Sequence, residues 1–361
     1  MKITIRTDAS LQIGTGHIMR CLTLAEALRH RGAAIRFVCR ENPGNWIDLL
    51  KKRRFLVHSL PFDPDWKHTT HYTAHAKWLG ADWMQDAQQT QTCIGEAVAD
   101  WLIVDHYALD ARWERMLATH CEKMMVIDDL ADRQHACDLL LDQTFGRDPT
   151  DYLPFVPADC RLLCGSQYAL LRPEFAALRS YSIKRRAQPV MRELLITMGG
   201  VDNDNVTGRV LQALRMCDLP ADCRITVVMG ATAPWLNEVR VQALDMQCPT
   251  RVLVAVSDMA QLMADSDLAI GAAGATSWER CCMGLPTIML VLAENQHMVA
   301  RGLVQAGAAI HYSSSPSNEF KLCALLARLV SSPKELHAMS KSAAGIVDGA
   351  GLESVLEHLG A

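Results

Sequence analysis

The run Arg6–Arg20, Arg-Thr-Asp-Ala-Ser-Leu-Gln-Ile-Gly-Thr-Gly-His-Ile-Met-Arg, constrains the fold more than any other stretch. It follows a short apolar strand, Ile3 to Ile5. It leads into a helix in which Leu22, Leu24, Ala25, Ala27 and Leu28 recur at helical spacing. A strand, a Gly-x-Gly loop and a helix in that order bring bare backbone N–H groups and the positive end of a helix dipole to one point. His17 stands at the helix entrance, where an imidazole beside an anion-binding loop is a candidate general base. Equally, Gly14 and Gly16 can make a tight βα turn with His17 as an ordinary helix-start residue. The run is neither a P-loop nor a full Gly-x-Gly-x-x-Gly fingerprint, because no third glycine follows.

The same strand–helix alternation continues. Strands are expected at 2–6, 34–38, 55–58, 101–105 and 124–127, and helices near 17–31, 45–53, 87–99 and 110–121. Short apolar runs follow at 138–142 and 161–164, then a helix at 174–186. The pattern halts at Ala187-Gln188-Pro189, since proline cannot continue a helix, and then restarts. The second half reads as strand 194–198, helix 204–216, strand 224–229, helix 234–244, strand 250–254 and helix 257–265. Strand 267–270, helix 275–283, strand 286–290 and helix 295–306 complete it. The expectation is an α/β fold with two Rossmann-like parallel-sheet domains, 1–187 and 188–361, facing a cleft. Ligands in such sheets sit at the carboxyl ends of the strands, where all the glycine-rich turns fall.

With 361 residues, half of them hydrophobic, two cores of roughly 150–200 residues each are expected. A net charge of −4 offers no field for nucleic acid. No apolar stretch reaches about 18–20 residues and the chain starts directly in a strand, so a cytoplasmic protein with neither signal peptide nor stable membrane insertion is expected. Thirteen cysteines, an odd number with no Cys-x-x-Cys, suit reduced and mostly buried thiols. His71 and His75 lack the glutamate of a zinc helix, and no metal site or cofactor is expected.

A second informative run is Ala269 to Thr287. Gly271 and Gly274 let a ligand approach the backbone, and Thr276 and Ser277 offer hydroxyl and N–H groups at a helix start. Glu279, one turn in, can accept from both hydroxyls of a ribose. The alternative is a capping box with Thr276 as N-cap and Glu279 at its third helical position. Gly199 and Gly200 form another phosphate-facing turn. Asn295 and Gln296 open a helix and can reach a sugar, or Asn295 can simply cap it. Asp105 and Tyr107 end a strand, where they either face a ligand or only terminate the strand. Asp128 to Arg133 reads as a loop held by ion pairs.

Taken together, Arg6–Leu24, Asp105–Glu114, Ile127–Arg133, Cys137–Gln143, Tyr168–Phe175, Thr197–Thr207 and Ala269–Pro286 make the chain similar to a known group. It resembles the UDP-sugar hydrolases of pseudaminic acid biosynthesis, relatives of the GT-B glycosyltransferase that adds N-acetylglucosamine to lipid I. The segment 61–83 has no match in that group. The resemblance implies UDP on the C-terminal domain, the sugar toward the N-terminal one, His17 as the catalytic base and Glu279 on the ribose. The candidate substrate-binding residues are Asp8, Gly14, Gly16, Tyr107, Arg172, Gly199, Gly200, Gly274, Thr276, Ser277, Glu279, Asn295 and Gln296. It further implies C–O cleavage of a UDP-linked 2,4-diacetamido-2,4,6-trideoxy hexose, and a product destined for flagellin or surface polysaccharide. A nucleoside diphosphate leaves readily, so one base activating water suffices, with inversion and without metal. Two other readings are a transferase passing the sugar to an alcohol or lipid, with Trp46, Leu49 and Leu50 beside Lys51–Arg54 as a small membrane-facing patch, and a nucleotide-sugar binding protein without turnover.

Overall fold

The computed structural model describes residues 1–64, 66, 75–95, 98–314 and 319–361; His71 and part of the unmatched 61–83 segment lie outside them. Parallel pairing needs a crossover, which the helices between strands supply, and both sheets are wholly parallel. The first carries β1 (Lys2–Thr7), β2 (Ala34–Arg40), β3 (Leu56–Leu60), β4 (Ala99–Asp105), β5 (Cys121–Ile127), β6 (Leu139–Asp142) and β7 (Arg161–Cys164), in the order β3-β2-β1-β4-β5-β6-β7. Helices α1 (Gly16–His30), α2 (Ile47–Lys52), α3 (Trp83–Ile94) and α4 (Ala111–Leu117) make its crossovers. The second carries β8 (Glu193–Thr197), β9 (Arg224–Met229), β10 (Thr250–Val254), β11 (Leu268–Ala272), β12 (Thr287–Leu290) and β13 (Ala309–His311), in the order β10-β9-β8-β11-β12-β13. Around it lie α5 (Pro173–Arg185), α6 (Val206–Leu214), α7 (Leu236–Leu244), α8 (Met259–Asp265), α9 (Thr276–Cys282), α10 (His297–Gln305), α11 (Glu319–Ser331) and α12 (Pro333–Ala344). A last helix, α13 (Gly351–Leu359), closes the chain.

Most boundaries fall within a few residues of the expected ones. The largest shift is α3, expected at 87–99. Asp82 caps it early by accepting from Met84 N at 2.8 Å, and Gly95, at φ +68°, ends it. β13, α11, α12 and α13 fall in the tail where no element was assigned.

The compact units are Met1–Leu170 with Gly351–Ala361, and Leu171–Ala350, so the division differs from the expected 187/188. Proline at 189 marks the end of α5 but not the edge of a unit. α5 is tied to the second unit by its polar side chains: Arg179 donates to Cys282 O and Ala344 O, both at 2.6 Å, and Ser182 Oγ to Met283 O at 2.7 Å. α13 returns to the first unit, where Leu352, Val355, Leu356 and Leu359 join Ile3, Ile5 and Leu24 in one core. Its approach is close: a Cβ on Gly351 would come within 2.5 Å of Ala169 N.

Two further expectations change. Cys217 and Cys323 form a disulfide, which ties the end of α6 to α11, whereas the other eleven cysteines are free. Cys217 lies just after α6 and Cys323 on α11, 106 residues apart, so spacing gave no signal. The apolar patch near α2 is mostly internal: Leu50 is buried in the first core, with Trp46 and Leu49 packed against it. Lys51 to Arg54 remain exposed. Among the described residues, no helix is long and apolar enough to cross a membrane.

Charges are sealed into the first unit behind the carboxyl end of its sheet. Arg6, fully buried in β1, pairs with Asp8 at 2.7 Å and Asp86 at 2.6 Å. Arg40 also pairs with Asp86 at 2.7 Å, and Trp113 donates to that carboxylate at 2.9 Å. Burial would push the Asp86 carboxyl up, but the two guanidinium groups outweigh it and hold it low. Asp86→Ala leaves two buried cations short of an anion and is expected to destabilise the first unit by about 3–5 kcal/mol. Urea unfolding followed by tryptophan fluorescence measures this. A loss below about 1 kcal/mol would place the network in the class of weak, solvent-screened pairs.

Candidate functional site

In a doubly wound sheet, the loops leaving the first strand and its neighbour on the other side diverge and leave a crevice at the strands' carboxyl ends. In the first unit those strands are β1 and β4; in the second they are β8 and β11. The residues singled out from the sequence gather at these two switch points.

At the first, Ser10 folds the β1–α1 loop by accepting from Gln12 N at 3.1 Å and Ile13 N at 2.9 Å. Gly14 adopts φ +79°, which requires glycine, and no side chain caps α1. This delivers His17 to the end of β4. Its Nδ1 lies 2.6 Å from Asp105 Oδ1. A carboxylate can only accept, so Nδ1 carries the proton of this hydrogen bond. Nε2 takes no hydrogen bond among the described residues.

Asp105 is fully buried and saturated. Arg20 donates Nε to Oδ2 and Nη2 to Oδ1, each at 2.7 Å, and Cys21 Sγ lies 3.3 Å from Oδ2. Burial alone would raise this carboxyl, but Arg20 and His17 reverse the effect and hold it well below the usual carboxylate range. A carboxylate so enclosed has no open face for covalent chemistry. The far side of Arg20 binds Asp129 at 2.6 Å, and Tyr107 donates its hydroxyl to the same carboxylate at 2.6 Å. Tyr107 meets the edge of His17 with ring centroids 4.5 Å apart, and its own ring faces Trp78 at 5.9 Å and His75 at 5.4 Å. His75 and Trp78 stack at 4.3 Å. They bring part of the unmatched 61–83 segment beside the imidazole.

At the second switch point, α6 is capped by the protein itself. Asp202 accepts from Val206 N and Thr207 N at 2.8 Å each, and Asn205 from Gly208 N at 3.0 Å. Gly199, at φ +91°, and Gly200 make the turn before it, which crosses β9's end so closely that a Cβ on Gly230 would run into Gly200 O. α9 differs: its N-cap is Ala275, which gives no side-chain hydrogen bond, so the capping-box alternative does not form. Instead Arg280, buried, reaches back to Ala272 O at 2.6 Å, Ser277 Oγ at 3.0 Å and Thr276 Oγ1 at 3.2 Å. A Cβ on Gly271 would collide with that guanidinium. Glu279 is partly buried and its carboxyl takes no hydrogen bond among the described residues. Burial raises it to about 7; Arg172 and Arg280 oppose that only in part.

Several placements correct the sequence reading. Asp8 is sealed between Arg6 and Arg40 N, with His106 Nε2 at 3.4 Å, and has no face for a ligand. It lies one residue past β1, within the interior charge network. The Ser277 hydroxyl is buried and committed to Arg280. α10 starts at His297, so Asn295 sits exposed in the 3-10 turn Glu294–Gln296 instead of capping a helix. Gln296 accepts from Leu292 N at 2.9 Å, while its amide nitrogen is near Gly274. Arg172 donates to Ser257 O at 2.8 Å and is near enough to act on Glu279. Asp128 pairs with Arg133 at 2.7 Å, as the ion-paired loop requires. The roles of Arg20 and Asp129 went unread, although Arg20 lies three residues after His17, on the same helical face. Among the described residues no group of three or more His, Cys, Asp or Glu is placed to hold a metal.

Residues 194–352 match the glycosyltransferase family 28 C-terminal domain. The whole-chain resemblance is borne out: the sequence is 24% identical to UDP-2,4-diacetamido-2,4,6-trideoxy-beta-L-altropyranose hydrolase of Campylobacter jejuni, over 86% of this chain and 99% of that one. MurG of Acinetobacter baumannii superposes with a TM-score of 0.67 at 17% identity, covering 99% of both chains. HepE of Anabaena, solved in complex with UDP-glucose, gives 0.57 at 14% identity over 100% of this chain and 99% of that one. The fold is of the GT-B type.

The Glu279 carboxyl is expected to titrate near 7. Carbon-13 NMR of glutamate-labelled protein, compared with Glu279→Gln, reads its midpoint. A value near the ordinary 4.3 would mean that Arg172 and Arg280 outweigh burial.

Proposed function

We propose that this chain hydrolyses a UDP-activated amino sugar at its anomeric carbon, with His17 as the base. The observation that carries the reading is the His17–Asp105 pair at the first switch point, 2.6 Å apart, whose Nε2 takes no hydrogen bond among the described residues. The 24% identity to a named UDP-sugar hydrolase, over nearly all of that protein, supports the substrate class, a UDP-linked 2,4-diacetamido-2,4,6-trideoxy hexose. A place in pseudaminic acid biosynthesis, and so in flagellin glycosylation, belongs to this same proposal.

The chemistry follows from the side chains. A water gives one proton to Nε2 while its oxygen bonds to the anomeric carbon, and the glycosidic C–O bond breaks with its electron pair going to UDP. Asp105 stabilises the imidazolium that forms, as an orienting carboxylate does in hydrolytic triads. A positioned base of this kind contributes roughly 10²–10⁴-fold. The uncapped start of α9, with Gly274 beside it, suits the diphosphate, and Glu279 suits the ribose hydroxyls. The rings of Tyr107, Trp78 and His75 give apolar faces for the sugar. Asp105, the carboxylate bonded to His17, is saturated and so is not available as a nucleophile, which favours inversion.

The family 28 match over 194–352 favours one second reading, transfer of the sugar to an alcohol acceptor. Release of free sugar from purified protein without acceptor decides between them.

His17→Ala is expected to lower turnover about a hundred-fold or more, with UDP affinity changed only a few-fold. A variant keeping a tenth of the rate would exclude His17 as base. In ¹⁸O-water the label is expected in the sugar, whose first-formed anomer is inverted. Label in UDP would mean attack at phosphorus. Glu279→Ala is expected to weaken UDP binding by about 1–3 kcal/mol by calorimetry; equal affinity in a folded variant would remove Glu279 from the ribose site.

A further inference from the structure

We infer that Arg20 is a positioning residue for His17: its guanidinium grips both oxygens of Asp105 and, through that carboxylate, fixes the tautomer and charge of the imidazole. The inference rests on the reading of His17 as base and adds a residue to which neither sequence motif nor comparison gives a role.

The geometry is specific. Arg20 donates Nε to one oxygen of Asp105 and Nη2 to the other, at 2.7 Å each, the two-pronged arrangement only a guanidinium provides. Nη2 also lies 3.3 Å from His17 Nδ1. A guanidinium has no acceptor, so this contact pushes the Nδ1 proton toward Asp105. The remaining nitrogen, Nη1, is anchored to Asp129 at 2.6 Å, and Tyr107 braces that carboxylate. The chain Tyr107–Asp129–Arg20–Asp105–His17 therefore runs from a ring packed on the imidazole, through two ion pairs, back to the imidazole.

Charge gives the second argument. A buried carboxylate beside a histidine favours imidazolium, which cannot accept the proton of water. Arg20 offsets Asp105 locally, and Nδ1–H still has its acceptor. The other groups around His17 are Cys21 on α1, His106 at the end of β4, Tyr107 after it, and His75 on its 3-10 turn. Asp129 and Arg133 come from the β5–β6 loop. Of these, Arg20 alone bonds directly to the Asp105 carboxylate as a cation.

The test compares Arg20→Met and Arg20→Lys with the unaltered protein. Arg20→Met is expected to lower kcat about ten-fold or more, while KM and UDP affinity stay within about three-fold. The acid limb of its pH–rate profile moves to higher pH, because an uncompensated Asp105 makes the imidazole easier to protonate. Nitrogen-15 NMR of histidine-labelled protein shows His17 as one tautomer, protonated at Nδ1, in the unaltered protein and as a mixture in Arg20→Met. Arg20→Lys, which keeps charge but not the fork, restores the acid limb and only part of the rate. Should Arg20→Met fail to fold, Arg20→Lys still requires a kcat loss at unchanged KM. A full rate and single tautomer in either folded variant overturns the proposal, as does a parallel fall in kcat and UDP affinity with the tautomer unchanged. Failure of the base reading looks different: His17→Ala stays active while Arg20→Met still alters the tautomer.

Discussion

A carboxylate sealed from water at the end of β4 is the interaction on which the first unit's chemistry depends. An unpaired buried charge costs several kcal/mol, so Asp105 is tolerable only with cations and donors on both oxygens. Arg20 fills that need from α1, the same helix that presents His17. The turn made by Ser10 and Gly14 sets where that helix begins, and hence where both side chains arrive. Moving the helix by one residue would rotate both away from β4 by about 100°. The loop, the ion pair and the imidazole are therefore one construction, and its register is stabilised by burial.

The second unit solves the same topological problem with opposite electrostatics. Its buried cation, Arg280, donates from Nη1 and Nη2 to the backbone and hydroxyls of its own loop, and the Glu279 carboxyl takes no hydrogen bond among the described residues. Under the proposed function, paired ribose hydroxyls would supply that carboxyl with two donors. α6 has its first N–H groups taken by the side chains of Asp202 and Asn205, whereas no side chain caps α9, whose Ser277 N and Trp278 N donate to Gly274 O and Ala275 O instead. The two Gly-rich turns of this unit look alike in sequence and differ in what caps the helix that follows, side chains at α6 and backbone carbonyls at α9.

Periodicity made the alternation, both sheets and the strand ends legible, because a strand buried on two faces leaves a continuous apolar run. The Gly-x-Gly loop located His17, and the strand ending at Asp105 was visible too. Their contact was not, since 88 residues separate them and only the parallel pairing of β1 with β4 brings them together. Asp8 misled for a related reason. An acidic residue just past a strand resembles a ligand contact, and nothing local reveals that Arg6 and Arg40 enclose it from two strands. Of the two readings left open at α9, the capping box does not form, because the helix starts one residue earlier than that box needs, with Ala275 as N-cap and the Thr276 hydroxyl accepting from Arg280. α13 shows the limit of reading along the chain: its apolar face fits either core, and the match with Ala169 and Trp101 decides.

The two site carboxylates also pull the pH dependence of stability in opposite directions. Asp105 is held below its unfolded value, so its contribution is present above about 3.9 and is lost only as the pH falls below that. Glu279 is raised to about 7, so the folded chain binds more protons than the unfolded one between about 4.3 and 7. Across that window its contribution weakens as the pH rises, and above it the penalty for a buried, unpartnered charge is complete. Yet only the ionised form can accept from two hydroxyls at once. The second unit is thus least stabilised at Glu279 where that group is ionised, and under the proposed function a ligand that supplies those hydroxyls removes the penalty by satisfying the charge. Stabilisation by such a ligand should therefore exceed what its contacts with an already neutral acid would give, and grow as the pH rises through 7.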